Sequence, residues 1–196
     1  MQQRHEAHVL NIAYKEFLAH GFKGTSLDAI ARRAGVSRVT LYRRYRDKIG
    51  LFLAVGQHAV EKLSFDLQHI ETEGRDPRVV LEDFLVTAYT AATRRETIAI
   101  VRMAMAEQGA FPELAGAIRR SRVAFLQPLT SYLESLARRG VITLSEPVHA
   151  AAERLMDLCL SFYSLMLEGP VKTNAQRHRL ARNAVAFFLK ACDYAG

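Results

Sequence analysis

Cysteine is nearly absent from this 196-residue chain, occurring only as Cys159 and Cys192. Two thiols cannot build a disulfide scaffold or a four-cysteine zinc site, and such sparse use fits a reducing cytoplasm. Proline is missing before residue 77; the five prolines are Pro77, Pro112, Pro128, Pro147 and Pro170. No apolar run reaches the ~18 uninterrupted residues of a membrane span. The opening MQQRHEAH has no apolar core, so no signal peptide and no membrane partner are expected. Strand patterning is lacking too: VIT at 141–143 is the single strand-like run, too short for a sheet. There is no repeat, low-complexity tract or long linker.

Signatures of catalysis are also wanting. None of His5, His8, His20, His58, His69, His149 and His178 belongs to an HExxH motif or a Cys-His metal spacing. His5 and His8, three apart near a frayed terminus, make a weak ligand pair. Gly21-Phe22-Lys23-Gly24 lacks the strand and spacing of a phosphate loop, and no serine sits in a nucleophile elbow. The expectation is a protein that is no enzyme and has no cofactor and no metal.

What the chain does have is positive charge in one place. It carries 27 Lys+Arg against 20 Asp+Glu, a formal net charge of +7. Residues 1–48 hold ten basic and four acidic side chains, net +6, whereas the other 148 residues are nearly neutral. Such asymmetry suits a polyanion-binding module joined to a neutral partner, although a merely soluble basic surface would look the same.

With 49% apolar residues the chain is core-forming, and its apolar spacing is helical almost throughout. The fold class expected is all-α, with about nine helices. Leu10, Ala13, Tyr14, Phe17 and Leu18 form one buried stripe on a first helix from about 3 to 20, which Gly21 stops. A short second helix starts at Thr25, whose hydroxyl is placed to cap it, and ends at Ala34 with Gly35 as a left-handed stop. Ser37 is placed to cap a third helix at about 38–45, and a long fourth runs from 47–48 to about 70. Five more are expected at about 77–94, 96–107, 111–139, 146–168 and 174–194, with a kink or break at Pro128. The domains expected are residues 1–61, with a helix-turn-helix at about 25–45, and residues 62–196.

The two short helices around Ala34-Gly35-Val36-Ser37 make a helix-turn-helix pattern or an ordinary helical hairpin. Helical geometry separates these readings, at about 100° per residue. With Leu41 set at the buried centre, Ser37 and Tyr45 lie on the inner side, and Val39, Arg43 and Arg46 point outward. Thr40 and Tyr42 lie beside them, and Arg38 and Arg44 flank the face. Arginine makes bidentate bonds to guanine, and Thr and Tyr hydroxyls reach phosphates, so this surface suits a DNA major groove.

The stretch VLNIAYKEFLAHGFKGTSLDAIARRAGVSRVTLYRRYRDKIGLFLAV at 9–55 resembles the N-terminal domain of the TetR/AcrR (tetracycline-repressor-like) transcriptional regulators. The matches include Phe17, Gly21-Phe22, Thr25-Ser26, Ile30-Ala31, Ala34-Gly35-Val36-Ser37, Thr40-Leu41-Tyr42, Tyr45, Lys48 and Leu51-Phe52. Met105-Ala106-Glu107 and Phe111-Pro112-Glu113-Leu114 are similar to a common C-terminal subtype. The resemblance implies a homodimer that binds a double-stranded DNA operator and a small-molecule effector. It implies that Thr25 and Ser26 bind phosphate, that Ser37, Thr40 and Tyr42 bind backbone, and that Arg38, Val39, Arg43 and Arg44 meet base edges. Lys48 would clamp a phosphate, and Arg4 is the one candidate for an N-terminal arm contact. The chain departs from the family pattern at Val39, where glycine is common, at Arg43 and Arg44, and at Arg46, where proline is common.

In the second domain, 146–168 is apolar nearly all round and 174–194 carries Ala181, Ala184, Val185, Phe188, Ala191 and Cys192 on one stripe. Two such helices point to a two-fold interface built from them, a four-helix bundle of two copies, as the resemblance also implies. The expected lining of the effector cavity is Phe84, Ala88, Tyr89, Ile98, Val101, Arg102, Met105, Phe125, Leu129, Tyr132, Phe162 and Met166. Arg102 is left with three options: an anionic ligand, a pair with Glu107 or Asp157, or water. The functional expectation is a ligand-responsive repressor released from a palindromic operator by an apolar or aromatic effector. The alternative is a helical ligand-binding or scaffold protein that binds no DNA.

Overall fold

The structure, a computed structural model, describes residues 2–161 and 173–194. Nine helices and no strand occur among the described residues: α1 Gln2–Gly24, α2 Leu27–Ala34, α3 Arg38–Tyr45, α4 Lys48–Gln68, α5 Pro77–Ala92, α6 Arg95–Glu107, α7 Glu113–Arg138, α8 Val148–Cys159 and α9 Asn174–Ala191. The all-α reading of the sequence therefore holds. None of these helices is long and apolar enough to cross a membrane.

The chain forms two compact units. The first comprises Met1–Glu61 and Ala99–Ser121, and the second Lys62–Ile98 and Arg122–Gly196. Residues 99–121, grouped with 62–196 in the sequence reading, belong with the first unit because Ile100, Ala104 and Leu114 are buried in its core. That core is organised around aromatic rings. Phe17 and Phe22 stack at 6.0 Å, Phe52 meets both edge-on at 5.0 and 5.4 Å, and Phe111 closes on Phe22 at 5.8 Å. Val9, Leu10 and Ala13 of α1 with Ile30 and Ala31 of α2 extend it towards Leu41 of α3.

The core of the second unit is mostly aliphatic, with a few aromatic rings. Leu81, Phe84, Leu85 and Ala88 of α5 pack with Leu129, Leu133 and Leu136 of α7, Leu155 of α8, and Ala181, Val185 and Phe188 of α9. Its helix starts are well specified. Asp76 accepts from the Arg78 N–H at 2.7 Å ahead of Pro77. Thr173 and Gln176 form a reciprocal capping box at the start of α9.

Three positions refine the sequence expectation. At Pro128, where a kink or break was expected, α7 has no break. Proline removes the bond to the carbonyl four residues back, that of Ala124, and Ala124 is exposed, so the freed group lies where solvent is within reach. Helix α8, expected at about 146–168, ends at Cys159, with Leu160 extended at φ −133° and ψ 97°; positions 162–168 of that expectation lie outside the described residues. A continuous apolar run carries no periodic signal for an end inside it. The helical backbone of α1 is interrupted at Gly21 (φ 68°, ψ 176°), where a stop was expected, and one further short turn follows to Gly24.

Candidate nucleic-acid interface

The turn between α2 and α3 is fixed by backbone hydrogen bonds. Gly35 sits in the left-handed region at φ 66° and ψ 27°. The Val36 N–H donates to the Ala31 carbonyl at 3.0 Å and the Gly35 N–H to that of Arg32 at 3.4 Å, a Schellman closure. Ser37 then caps α3: its hydroxyl oxygen accepts from the Thr40 N–H at 3.0 Å and lies 2.7 Å from the Thr40 hydroxyl. Leu41 and Tyr45 are buried, and burial pushes the Tyr45 phenol above its ordinary value. The opposite face of α3 is open: Arg38, Val39, Thr40, Tyr42, Arg43 and Arg44 are all exposed.

The acidic residues of the first 48 positions sort these cations. Glu6 on α1 takes Arg44 through both carboxylate oxygens. The buried Glu16 takes Arg33. Asp28 on α2 takes Arg38, Nε to Oδ1 at 3.0 Å, while the Arg38 guanidinium lies 5.2 Å from the Tyr42 ring centroid. The Tyr42 hydroxyl and then the Asp28 carboxylate hold the Arg38 guanidinium above its ordinary value. Asp47 is used at the start of α4, where Oδ1 accepts the Gly50 N–H at 2.7 Å. Arg43 thus projects from the open face with no acidic partner among the described residues.

Two expected contacts change on this geometry. Thr25 is only 4% exposed, and its hydroxyl is directed at the carbonyls of Gly21 (2.7 Å) and Glu16 (3.2 Å). Its side chain is a strut between α1 and α2 rather than a phosphate donor. Ser26 is the actual cap of α2, accepting from the Ala29 N–H at 3.2 Å, and it is exposed. Arg44, expected to flank the outward face and meet base edges, is held by Glu6 of α1. The pairing was invisible in sequence because 38 residues separate the two partners.

Lys48 has two sides. Its Nζ donates to the carbonyls of Thr25 at 3.0 Å and Lys23 at 3.3 Å and sits 4.7 Å from the Phe22 ring centroid. An ammonium has three donors, so one remains for an outside acceptor. The Arg4 side chain lies outside the described residues.

The residues expected around an effector are divided between the two units, and two of them lie outside the described residues. Phe84, Ala88, Tyr89, Leu129 and Tyr132 are buried in the core of the second unit with Phe125 against it, and the Phe84 and Tyr132 rings lie 5.7 Å apart. Ile98 is buried in that unit as well. Val101, Arg102 and Met105 belong to the first unit, where Arg102 and Met105 are exposed. Of the acidic partners considered for Arg102, Glu107 is paired with Lys23 and Asp157 with Arg122. Phe162 and Met166 lie outside the described residues.

A capped, eight-residue helix with an exposed cationic face, held at a fixed angle by a Schellman turn, defines a helix-turn-helix DNA-binding protein. Comparison with known proteins specifies it further. Residues 9–55 match the family described as "Bacterial regulatory proteins, tetR family", and residues 79–194 match "AefR-like transcriptional repressor, C-terminal domain". The chain belongs to the tetR family, a family of DNA-binding transcription regulators and not of enzymes. It is 24% identical over 185 residues to the HTH-type transcriptional regulator YvkB of Bacillus subtilis (strain 168), covering 93% of this chain and 94% of that one. A TetR-family regulator from Mesorhizobium loti MAFF303099 has a similar fold, with a TM-score of 0.85, 24% identity and 96% of each chain covered. The "Flavonoid-responsive Regulator FrrA" superposes with a TM-score of 0.80 at 30% identity, covering 97% of each chain.

Proposed function

We propose that the protein is a homodimeric repressor that leaves a palindromic operator when a small apolar or aromatic effector binds, and that it works in the cytoplasm. The observation that carries this reading is the outward face of α3, where Arg43 stands exposed with no acidic partner among the described residues. Arg43 and Val39 face base edges, with Arg38 on the flank. Ser26, Ser37, Thr40 and Tyr42 meet the phosphate backbone, and the third Lys48 donor adds a phosphate contact.

Repression is supported by the C-terminal match, whose description is that of a transcriptional repressor. A two-fold interface through α8 and α9 is supported by Leu158 and Phe187, large apolar side chains left 42% and 65% exposed on those helices. An aromatic effector is supported by the Phe84, Tyr89 and Tyr132 rings in the second unit and by the flavonoid-responsive relative. Helix α4 runs unbroken from Lys48 to Gln68, so a tilt of its C-terminal part would move Lys48 and the α3 before it. Two recognition helices must stand roughly 34–36 Å apart to enter successive major grooves, and a tilt alters that spacing. The effector then acts through its differential affinity for the two states.

A gel shift on the protein's own promoter region, repeated across a salt series and with candidate aromatic ligands, tests this. A specific, salt-sensitive band that an aromatic ligand dissolves is expected. A DNA-free scaffold would give no such band, and equal recognition-helix separation with and without effector would sink the tilt mechanism.

A further inference from the structure

Val39 is the most exposed large apolar side chain among the described residues, at 74%. A lone exposed valine is ordinarily unremarkable on a protein surface. Its setting here is unusual. Helix α3 is eight residues long, and its other exposed side chains are polar or aromatic: Arg38, Thr40, Tyr42, Arg43 and Arg44. A β-branched residue lowers helix propensity, so an exposed valine weakens a short helix without gaining burial in return. Arg43 lies four residues further on, hence on the same side of the helix one turn away.

We infer that Val39 packs on a thymine C5-methyl while Arg43 makes a bidentate contact to a neighbouring guanine, so that each operator half-site holds a thymine and a guanine close together. This inference rests on the reading of α3 as the groove-entering helix. In the major groove, thymine alone presents a methyl group, and guanine alone presents the paired N7 and O6 acceptors. Valine offers two methyls from a side chain with one stiff torsion, so little conformational entropy is lost on contact. Placed over adenine or guanine it would leave polar edge atoms unmet, and over cytosine it would find no methyl. Val39 therefore discriminates by shape and polarity together.

Arg43 is the matching cation. Arg38 is engaged by Asp28 and Arg44 by Glu6, so those two guanidinium groups are anchored to the protein's own carboxylates. Four residues of helix advance about 6 Å, and stacked bases repeat every ~3.4 Å. The thymine and guanine should then lie one or two base steps apart.

Selection of double-stranded DNA fragments from a random pool by the full-length protein gives the operator. Each half-site is expected to contain a thymine one or two steps from a guanine. Replacing that thymine by deoxyuridine removes only the methyl and should weaken wild-type binding roughly fourfold, about one buried methyl. Replacing the guanine by 7-deazaguanine removes N7 and should weaken it roughly fivefold or more. V39A should be indifferent to the deoxyuridine change but still sensitive to 7-deazaguanine, and R43A should show the reverse. Both side chains are exposed, so both variants should fold, which circular dichroism checks. A wild-type protein that selects a defined sequence yet binds uridine as tightly as thymine at every half-site position overturns this inference and leaves the regulator reading standing. A protein that selects no sequence overturns both.

Discussion

A Cβ added to Gly50 would stand 2.0 Å from the carbonyl oxygen of Tyr45. The first turn of α4 is packed directly on the exit of α3. The chain reverses there through Arg46, held at φ 65° and ψ −53°, with the Asp47 N–H donating to the same Tyr45 carbonyl at 2.8 Å. This is a γ-turn of the rarer, strained kind. It sets the angle at which the recognition helix leaves the body of the first unit.

Gly50→Ala should therefore destabilise the protein by about 1–3 kcal/mol, because the obstacle is backbone and cannot swing away. Gly56 lies in the same helix, and a Cβ there meets nothing within 4 Å. Gly56→Ala should stabilise by about 0.4–1 kcal/mol through the unfolded state. Thermal melts of the two variants check the pair, and equal shifts of the same sign would contradict the packing described.

Arg43 and Arg44 are neighbours in sequence with opposite fates. Arg43→Ala should cost about 1–3 kcal/mol of operator affinity and relax preference at one base pair. Arg44→Ala should leave base preference unchanged, since its guanidinium is held by Glu6. An exposed pair of that kind contributes at most about 1 kcal/mol to stability. Binding assays against single-base operator variants separate the two, and a base preference that shifts in Arg44→Ala would show that the Glu6 pair opens on DNA.

Lys48→Met should lower stability as well as DNA affinity. The ammonium holds the carbonyls of Lys23 and Thr25, and hydrogen bonds to a charged group contribute about 1.5–3 kcal/mol. The affinity loss should be similar for every DNA sequence and should flatten the salt dependence by about one charge. Chemical denaturation and a salt titration measure the two effects, and an unchanged denaturation midpoint would argue against the strut.

Most of this architecture was legible in the sequence, for identifiable reasons. Leu10, Ala13 and Phe17 repeat at helical spacing, Gly35 marks a left-handed stop, and Ser37 announces a cap, so the helices and the outward face of α3 could be placed from local pattern. Local pattern does not carry long-range pairing. Glu6 meets Arg44 across 38 residues and Glu16 meets Arg33 across 17, so which cations remain available was hidden. Thr25 and Ser26 are both competent caps, and only the burial of Thr25 beneath α1 decides between them. The effector lining was hardest to read, because the same apolar residues serve a core and a cavity alike.

Exposed Phe187 provides a test of the proposed dimer. Phe187→Glu should shift the protein towards monomer in sedimentation velocity, since a charge at a buried interface is costly to desolvate. The substitution should leave the monomer folded, because the side chain is 65% exposed in the single chain. Operator affinity should fall with dimerisation, as one recognition helix then reads one half-site. A Phe187→Glu protein that remains dimeric would place the two-fold contact elsewhere.

The second unit should lose stability in alkali. Burial pushes the Cys159 thiol up to about 11, and it raises Cys192, Tyr89 and Tyr132 above their ordinary values as well. Each group holds its proton more tightly folded than unfolded. The stability this confers is fully present below the unfolded value and is lost as pH rises through the folded one. For Cys159 that window runs from about 8.5, the ordinary thiol value, up to about 11. Thermal midpoints measured at intervals from pH 7 to 11 should hold steady and then fall across it. Cys159→Ala should show a shallower fall over the same interval, because the most strongly shifted thiol is gone. The Cys159 thiol should also react slowly with a disulfide reagent at pH 8, being both buried and protonated. Rapid labelling of the native protein at that pH, or an identical alkaline fall in Cys159→Ala, would show that the thiol is not sealed in the α8 packing.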